Sequence, residues 1–253
     1  MWILVLGLAM GAGGAAVWQP PAKPDPQSIL QEAESDARAG RHELALAKHE
    51  WFHREALKHD PGFYGVRLSF ALSSWKELGR SYPPAFASLK RFRDEALAQV
   101  MGGRGGHAEF HDFESINAVL GETARTREAF LRLDKERPDL AKQVYNVAEP
   151  ALVEAADYAI CGRYVEAEAR WAGIAYRHAT DKGLVGQFGP EFKAFMEQSL
   201  THETALLIAL LVLNERTGEA EGVASKARLE WDDASFHQAI DAALKGEVPK
   251  PFP

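Results

Sequence analysis

The chain has 253 residues, 46% of them apolar, enough to bury a substantial core in one large domain or two small ones. Its 29 basic and 36 acidic residues give a net charge of −7, and no run of lysines or arginines supplies the footprint that phosphate backbones require, which argues against nucleic acid as a partner. Cys161 is the single cysteine, so an intramolecular disulfide and any cysteine-built zinc site are excluded, and stability must come from packing.

In chain order, residues 1–18, MWILVLGLAMGAGGAAVW, are uncharged and end in small residues. They fit an export signal, with Gly14 and Ala16 at the small positions of a cleavage site, although no lysine or arginine precedes the apolar run. At about 17 residues the stretch is alternatively a short membrane anchor through residues 2–18. Either reading makes the protein exported, periplasmic or secreted. Residues 19–27, QPPAKPDPQ, carry four prolines and form an extended linker. From 28 to 245 alanine, leucine, glutamate, lysine and arginine dominate and alternating apolar–polar runs are scarce, so helix is expected throughout, in one domain. Residues 246–253 are a C-terminal tail.

Turn-like stations recur within the helical stretch: AGRHELA at Gly40, LGRSYPPA at Gly79, LGETART at Gly121, CGRYVEA at Gly162 and TGEAEGV at Gly218. The first four are spaced by 39, 42 and 41 residues, a repeat in which glycine supplies a left-handed cap between two antiparallel helices. The units run from Ser28 to Asp60, Phe63 to Val100, Asp112 to Arg137, Pro150 to Thr180 and Leu200 to Leu229, with a final helix near Ala234 to Leu244.

These stations resemble tetratricopeptide repeats, whose hairpin has a turn glycine, an aromatic two positions on, an alanine three further and a large aromatic four beyond. Gly162, Tyr164, Ala167 and Trp171 reproduce that spacing. Gly40 and Ala45 fit with His42 in the aromatic place, ALKHDP at Ala56 to Pro61 resembles the closing residues, and Gly79, Tyr82 and Ala85 fit with one residue added. Units near 40 residues and weak first helices depart from the family's 34. HEWFHREAL, YGVRLSFALSSWKELGRSYP and AKQVYNVAEPAL are also similar to a group of uncharacterised bacterial proteins, a resemblance that implies no activity. The resemblance implies an all-α, right-handed α-solenoid of about five hairpins, with a concave groove for a protein or peptide partner.

HEWFH, His49 to His53, spells HExxH, which places two imidazoles on one helical face with Glu50 beside them to polarise a bound water. His59 arrives ten residues after His49, as in the metzincin pattern, and Met101 in MGGRGG stands where a methionine turn would. Ala56, however, occupies the place of the helix-breaking glycine. If the helix continues, His59 lies about 80° round from His49 and about 9 Å beyond His53, outside a coordination sphere of about 2 Å bonds. The other reading makes His49 and His53 helix-packing residues on the stripes of Ala45, Phe52 and Ala56 and of Leu46 and Leu57, Glu50 an exposed charge, and Met101 a helix end.

GRGGHAEFHDFESIN, Gly103 to Asn117, reads as a glycine-rich insertion with His107 and His111 four apart. Together with Arg67 on YGVRLSFALSSW, His111, Asp112 and Asn117 form a candidate binding set for a small molecule between the second and third hairpins. Alternatively His111 or Asp112 caps the helix beginning FESINAVL, and Arg67 stretches to solvent or pairs with a carboxylate. Trp171, Trp231 and Tyr176 read as interhelix packing, and Cys161 as a small buried residue. The first expectation is therefore a non-enzymatic binding scaffold without a cofactor. The alternative is a zinc hydrolase with His49, His53 and His59 as ligands and Glu50 as base.

Overall fold

A computed structural model describes residues 18–251, and among these the secondary structure is entirely helical. The proposed export or anchor segment therefore lies, apart from Trp18, outside the described residues. Among the described residues no helix is long and apolar enough to cross a membrane. They fall into two compact units, where the sequence reading has one domain: residues up to Gly102 together with Ser115–Glu122, and Gly103–Glu114 together with everything from Thr123.

The first unit contains α1 (Pro26–Arg38), α2 (His42–His59), a 3-10 turn over Pro61–Phe63, α3 (Tyr64–Leu68), α4 (Phe70–Ser81), α5 (Pro83–Met101) and the second half of α6 (His107–Leu120). Asp25 starts α1 by accepting the Ser28 N–H at 3.1 Å, with Pro26 at the first helical position, where its missing N–H costs nothing. Gly40 stops it at φ 76°, and the Arg41 N–H reaches back to the Asp36 carbonyl at 2.8 Å, which satisfies an orphan carbonyl of the last turn. Lys48 then ties α2 to α1 through Asp36 at 2.8 Å and Glu32 at 2.7 Å. The core of this unit gathers Leu72, Trp75, Leu89, Phe92 and Ile116.

The second unit holds the first half of α6, then α7 (Thr123–Glu136), α8 (Pro138–Glu154), α9 (Tyr158–Tyr164), α10 (Ala167–Phe188), α11 (Pro190–Leu213), α12 (Thr217–Glu230) and α13 (Ala234–Ala243). Residues Ala205 to Leu211 of α11 are all buried, as expected of a helix that packs against α9, α10, α12 and α13. A single residue, Gly189 at φ 84° and ψ −169°, joins α10 to α11, a backbone region that only glycine enters without strain.

Several sequence expectations need correction. Gly79 and Gly162 lie inside α4 and α9 and turn nothing. They are glycines because neighbours crowd them: an added Cβ would stand 2.8 Å from the Phe86 ring and 2.0 Å from the Asn214 side chain, respectively. Gly218 lies in the first turn of α12. Left-handed helix stops occur at Gly40 and Gly121 as expected, but in the later hairpins they fall on Ala156 (φ 58°) and Glu215 (φ 61°). Each of the four carries the same backward bond two residues past its helix, from Arg41, Glu122, Asp157 and Arg216. Pro150 does not open a unit; it sits within α8 and brings no N–H to the Asn146 carbonyl. The expected insertion shrinks to Gly102–Gly106, because Glu109 accepts the Gly106 N–H at 2.7 Å and starts α6 at His107.

Candidate functional site

The histidine motif lies within the first unit. α2 runs unbroken through Ala56, whose carbonyl accepts the Asp60 N–H at 2.9 Å. His59 is exposed and stacks on Trp51, with ring centroids 5.6 Å apart, whereas His49 and His53 are buried, 2% and 8% exposed. The His49 ring stacks on Trp75 at 6.0 Å, and His53 meets Trp75 and Phe92 edge-on. Glu50 faces α5, where it accepts from Ser88 Oγ and from Arg91 Nη2 at 2.8 Å.

Arg67 decides the chemistry of His53. Its Nη1 lies 3.1 Å from both His53 Nε2 and the His53 carbonyl oxygen. A guanidinium only donates, so Nε2 accepts and the ring proton sits on Nδ1. The lone pair that a metal would take is already engaged, the expected third ligand faces away, and the expected base is ion-paired. These residues do not fit a zinc ion in a protease arrangement. Burial, reinforced by Arg67 and Arg54, lowers the His53 pKa to about 3, and burial alone lowers that of His49 to about 4.

The expected binding set is not assembled within either unit. Arg67 and Asn117 belong to the first unit and both are buried; His111 and Asp112 are half-buried in the second, inside α6 and past its start. Arg67 is not on a continuous apolar helix, because Ser69 at φ −127° and ψ −90° separates α3 from α4, and Phe70 is 76% exposed. Tyr176, expected in packing, is 74% exposed, while Trp171 and Cys161 are buried as expected.

Sequence reasoning passed over a polar cleft of about 570 Å³ in the second unit, between α8 and α10, with Glu203 of α11 at one side. Val165, Ala169 and Gly173 keep its floor low, and an added Cβ at Gly173 would meet nothing within 4 Å. Arg170 projects into it, donating to Asn146 Oδ1 at 3.2 Å and to Glu149 Oε2 at 2.7 Å. Glu149 is buried beneath and also accepts the Tyr145 hydroxyl at 2.7 Å. Two of the five guanidinium N–H groups are thus engaged, leaving three without a protein partner. Lys142 pairs with Glu166 at 2.8 Å at the mouth, and Arg177 pairs with Glu203.

The cleft lacks an activated nucleophile. Burial pushes the Cys161 thiol up to about 12, and burial together with the Asp134 carboxylate pushes the Tyr164 phenol up to about 12. Burial and Glu149 also raise the pKa of Tyr145, so all three stay protonated at neutral pH. What the cleft offers is recognition: charged hydrogen-bond donors over a shallow apolar floor. The signal in the sequence was the row Arg170, Gly173, Arg177, polar or small residues on one face of α10, opposite the buried Trp171, Ile174 and His178. Comparison with known proteins finds no matching family model, no matching curated protein and no matching solved structure.

Proposed function

We propose that the protein is a non-enzymatic binding scaffold whose second unit holds a peptide segment of a partner protein in the cleft between α8 and α10. One observation carries the reading: an open cleft of about 570 Å³ in which Arg170 keeps three N–H groups for a ligand while Glu149 and Asn146 hold its guanidinium in place. A side chain fixed by buried partners loses little freedom on binding. Recurring helix–stop–helix segments at Gly40, Gly121, Ala156 and Glu215 support a tetratricopeptide-like, right-handed α-solenoid as the frame. In the same reading the uncharged stretch at residues 1–18 exports or anchors the scaffold.

The test is selection of a random 16-residue phage-displayed peptide library on the protein and on Gly173→Trp, which fills the cleft from a position with open space in front of it. The expected result is peptides that bind the parent protein and lose at least tenfold in affinity to the blocked variant. Failure to select any peptide, or equal binding to both proteins, overturns the reading.

A further inference from the structure

The α10–α11 hairpin carries apolar side chains exposed toward its tip. Leu184 is 37% and Phe188 57% exposed, and the Phe188 ring lies 5.3 Å from that of Phe192 on α11. These residues are not isolated from the cleft. At about 100° per residue, Arg170, Gly173, Arg177, Leu184 and Phe188 fall within an arc of about 60° on α10. One face of one helix therefore runs from charged donors over a small floor to exposed apolar side chains, over about 27 Å at 1.5 Å per residue.

We infer that the partner segment is bipartite, with an acidic part seated at Arg170 and an aromatic or aliphatic part covering Leu184 and Phe188. This rests on the peptide-binding reading and specifies its ligand. The acidic preference follows from charge: Lys142, Arg170 and Arg177 line the cleft against Glu166 and Glu203, in a chain of net charge −7. Each of the two carboxylates already has a cation, at Lys142 and Arg177, while Arg170 has N–H groups to give. The apolar part follows from continuity, since a segment lying along the α10 face past Arg177 meets Leu184 next. An extended chain covers about 27 Å in roughly eight residues at about 3.4 Å each, which a 16-residue library contains.

The experiment takes the peptides selected on the parent protein and measures their affinity for Leu184→Ser/Phe188→Ser, for Arg170→Gln and for Gly173→Trp by fluorescence anisotropy. Both substitutions in the double variant lie at exposed positions, and circular dichroism checks that each variant keeps its helices. The expected peptides carry an acidic block and an apolar block some eight residues apart, and bind about tenfold more weakly to the double variant and to Arg170→Gln. Peptides blocked by Gly173→Trp but indifferent to the double variant would sink the bipartite inference and leave the cleft reading standing. Peptides that ignore Gly173→Trp would remove both. A parent protein that is a dimer by light scattering, and a monomer as the double variant, would assign the apolar tip to a second copy and overturn the inference.

Discussion

Acidification from pH 7 to pH 5 is expected to destabilise the first unit through His49 and His53. Both rings are neutral in the folded protein, with pKa values of about 4 and about 3, against about 6.5 when unfolded. Their stability contribution is complete above pH 6.5 and is lost as pH falls from there toward the folded values, because only the unfolded chain takes up the protons. At pH 5 each unfolded histidine has gained about 2 kcal/mol from protonation while its folded counterpart has gained almost nothing, so the pair removes about 4 kcal/mol. Arg54 and Arg67 beside His53 oppose protonation of the folded state, and the nearest carboxylate, Glu50, is engaged by Ser88 and Arg91. The assay is urea denaturation of the parent protein and of His49→Phe at pH 7 and pH 5. His49 has no hydrogen-bond partner on either ring nitrogen and stacks on Trp75, so phenylalanine keeps the stack and removes a desolvated polar group. The variant is expected to lose about 2 kcal/mol less than the parent between the two pH values, carboxylate titration being common to both. Equal losses would refute the assignment of the acid sensitivity to His49.

Two further variants probe how the helices stop and cross. Ala156→Gly should stabilise the protein by about 1 kcal/mol, raising Tm by about 3 °C in calorimetry, because the exposed alanine holds a left-handed conformation that glycine adopts without cost. Gly162→Ala should destabilise it by about 2 kcal/mol in urea, since the new methyl displaces Asn214, which donates to the carbonyls of Tyr158 at 2.9 Å and Leu210 at 2.7 Å; an unchanged midpoint would show that Asn214 moves aside freely.

The all-helical class was legible because composition and apolar spacing report local preference, and Gly40 and Gly121 were found because a left-handed stop favours glycine. Gly79 and Gly162 were misread for a reason the spacing cannot express: a glycine demanded by a neighbouring helix looks the same in sequence as one demanded by a turn. The stops at Ala156 and Glu215 gave no signal at all, since the backward bonds from Asp157 and Arg216 hold those residues in place. At the candidate site the diverging His59 was foreseen from helix geometry. The partner of His53 was not, because Arg67 reaches it only after the chain has folded back at the 3-10 turn. The cleft went unread because Glu149 and Arg170 are 21 residues apart and meet only in the folded unit.

The one-residue connection at Gly189 makes the length of the α10–α11 arm an independent variable. With nothing between the helices but a single glycine, two turns added to α10 and two matched turns to α11 would move the hairpin end outward by about 11 Å and leave the cleft residues where they are. The protein thus contains an adjustable gauge. A family of such arms of stepped length would sort partners by the distance between their acidic and apolar blocks, using the same guanidinium at Arg170 each time.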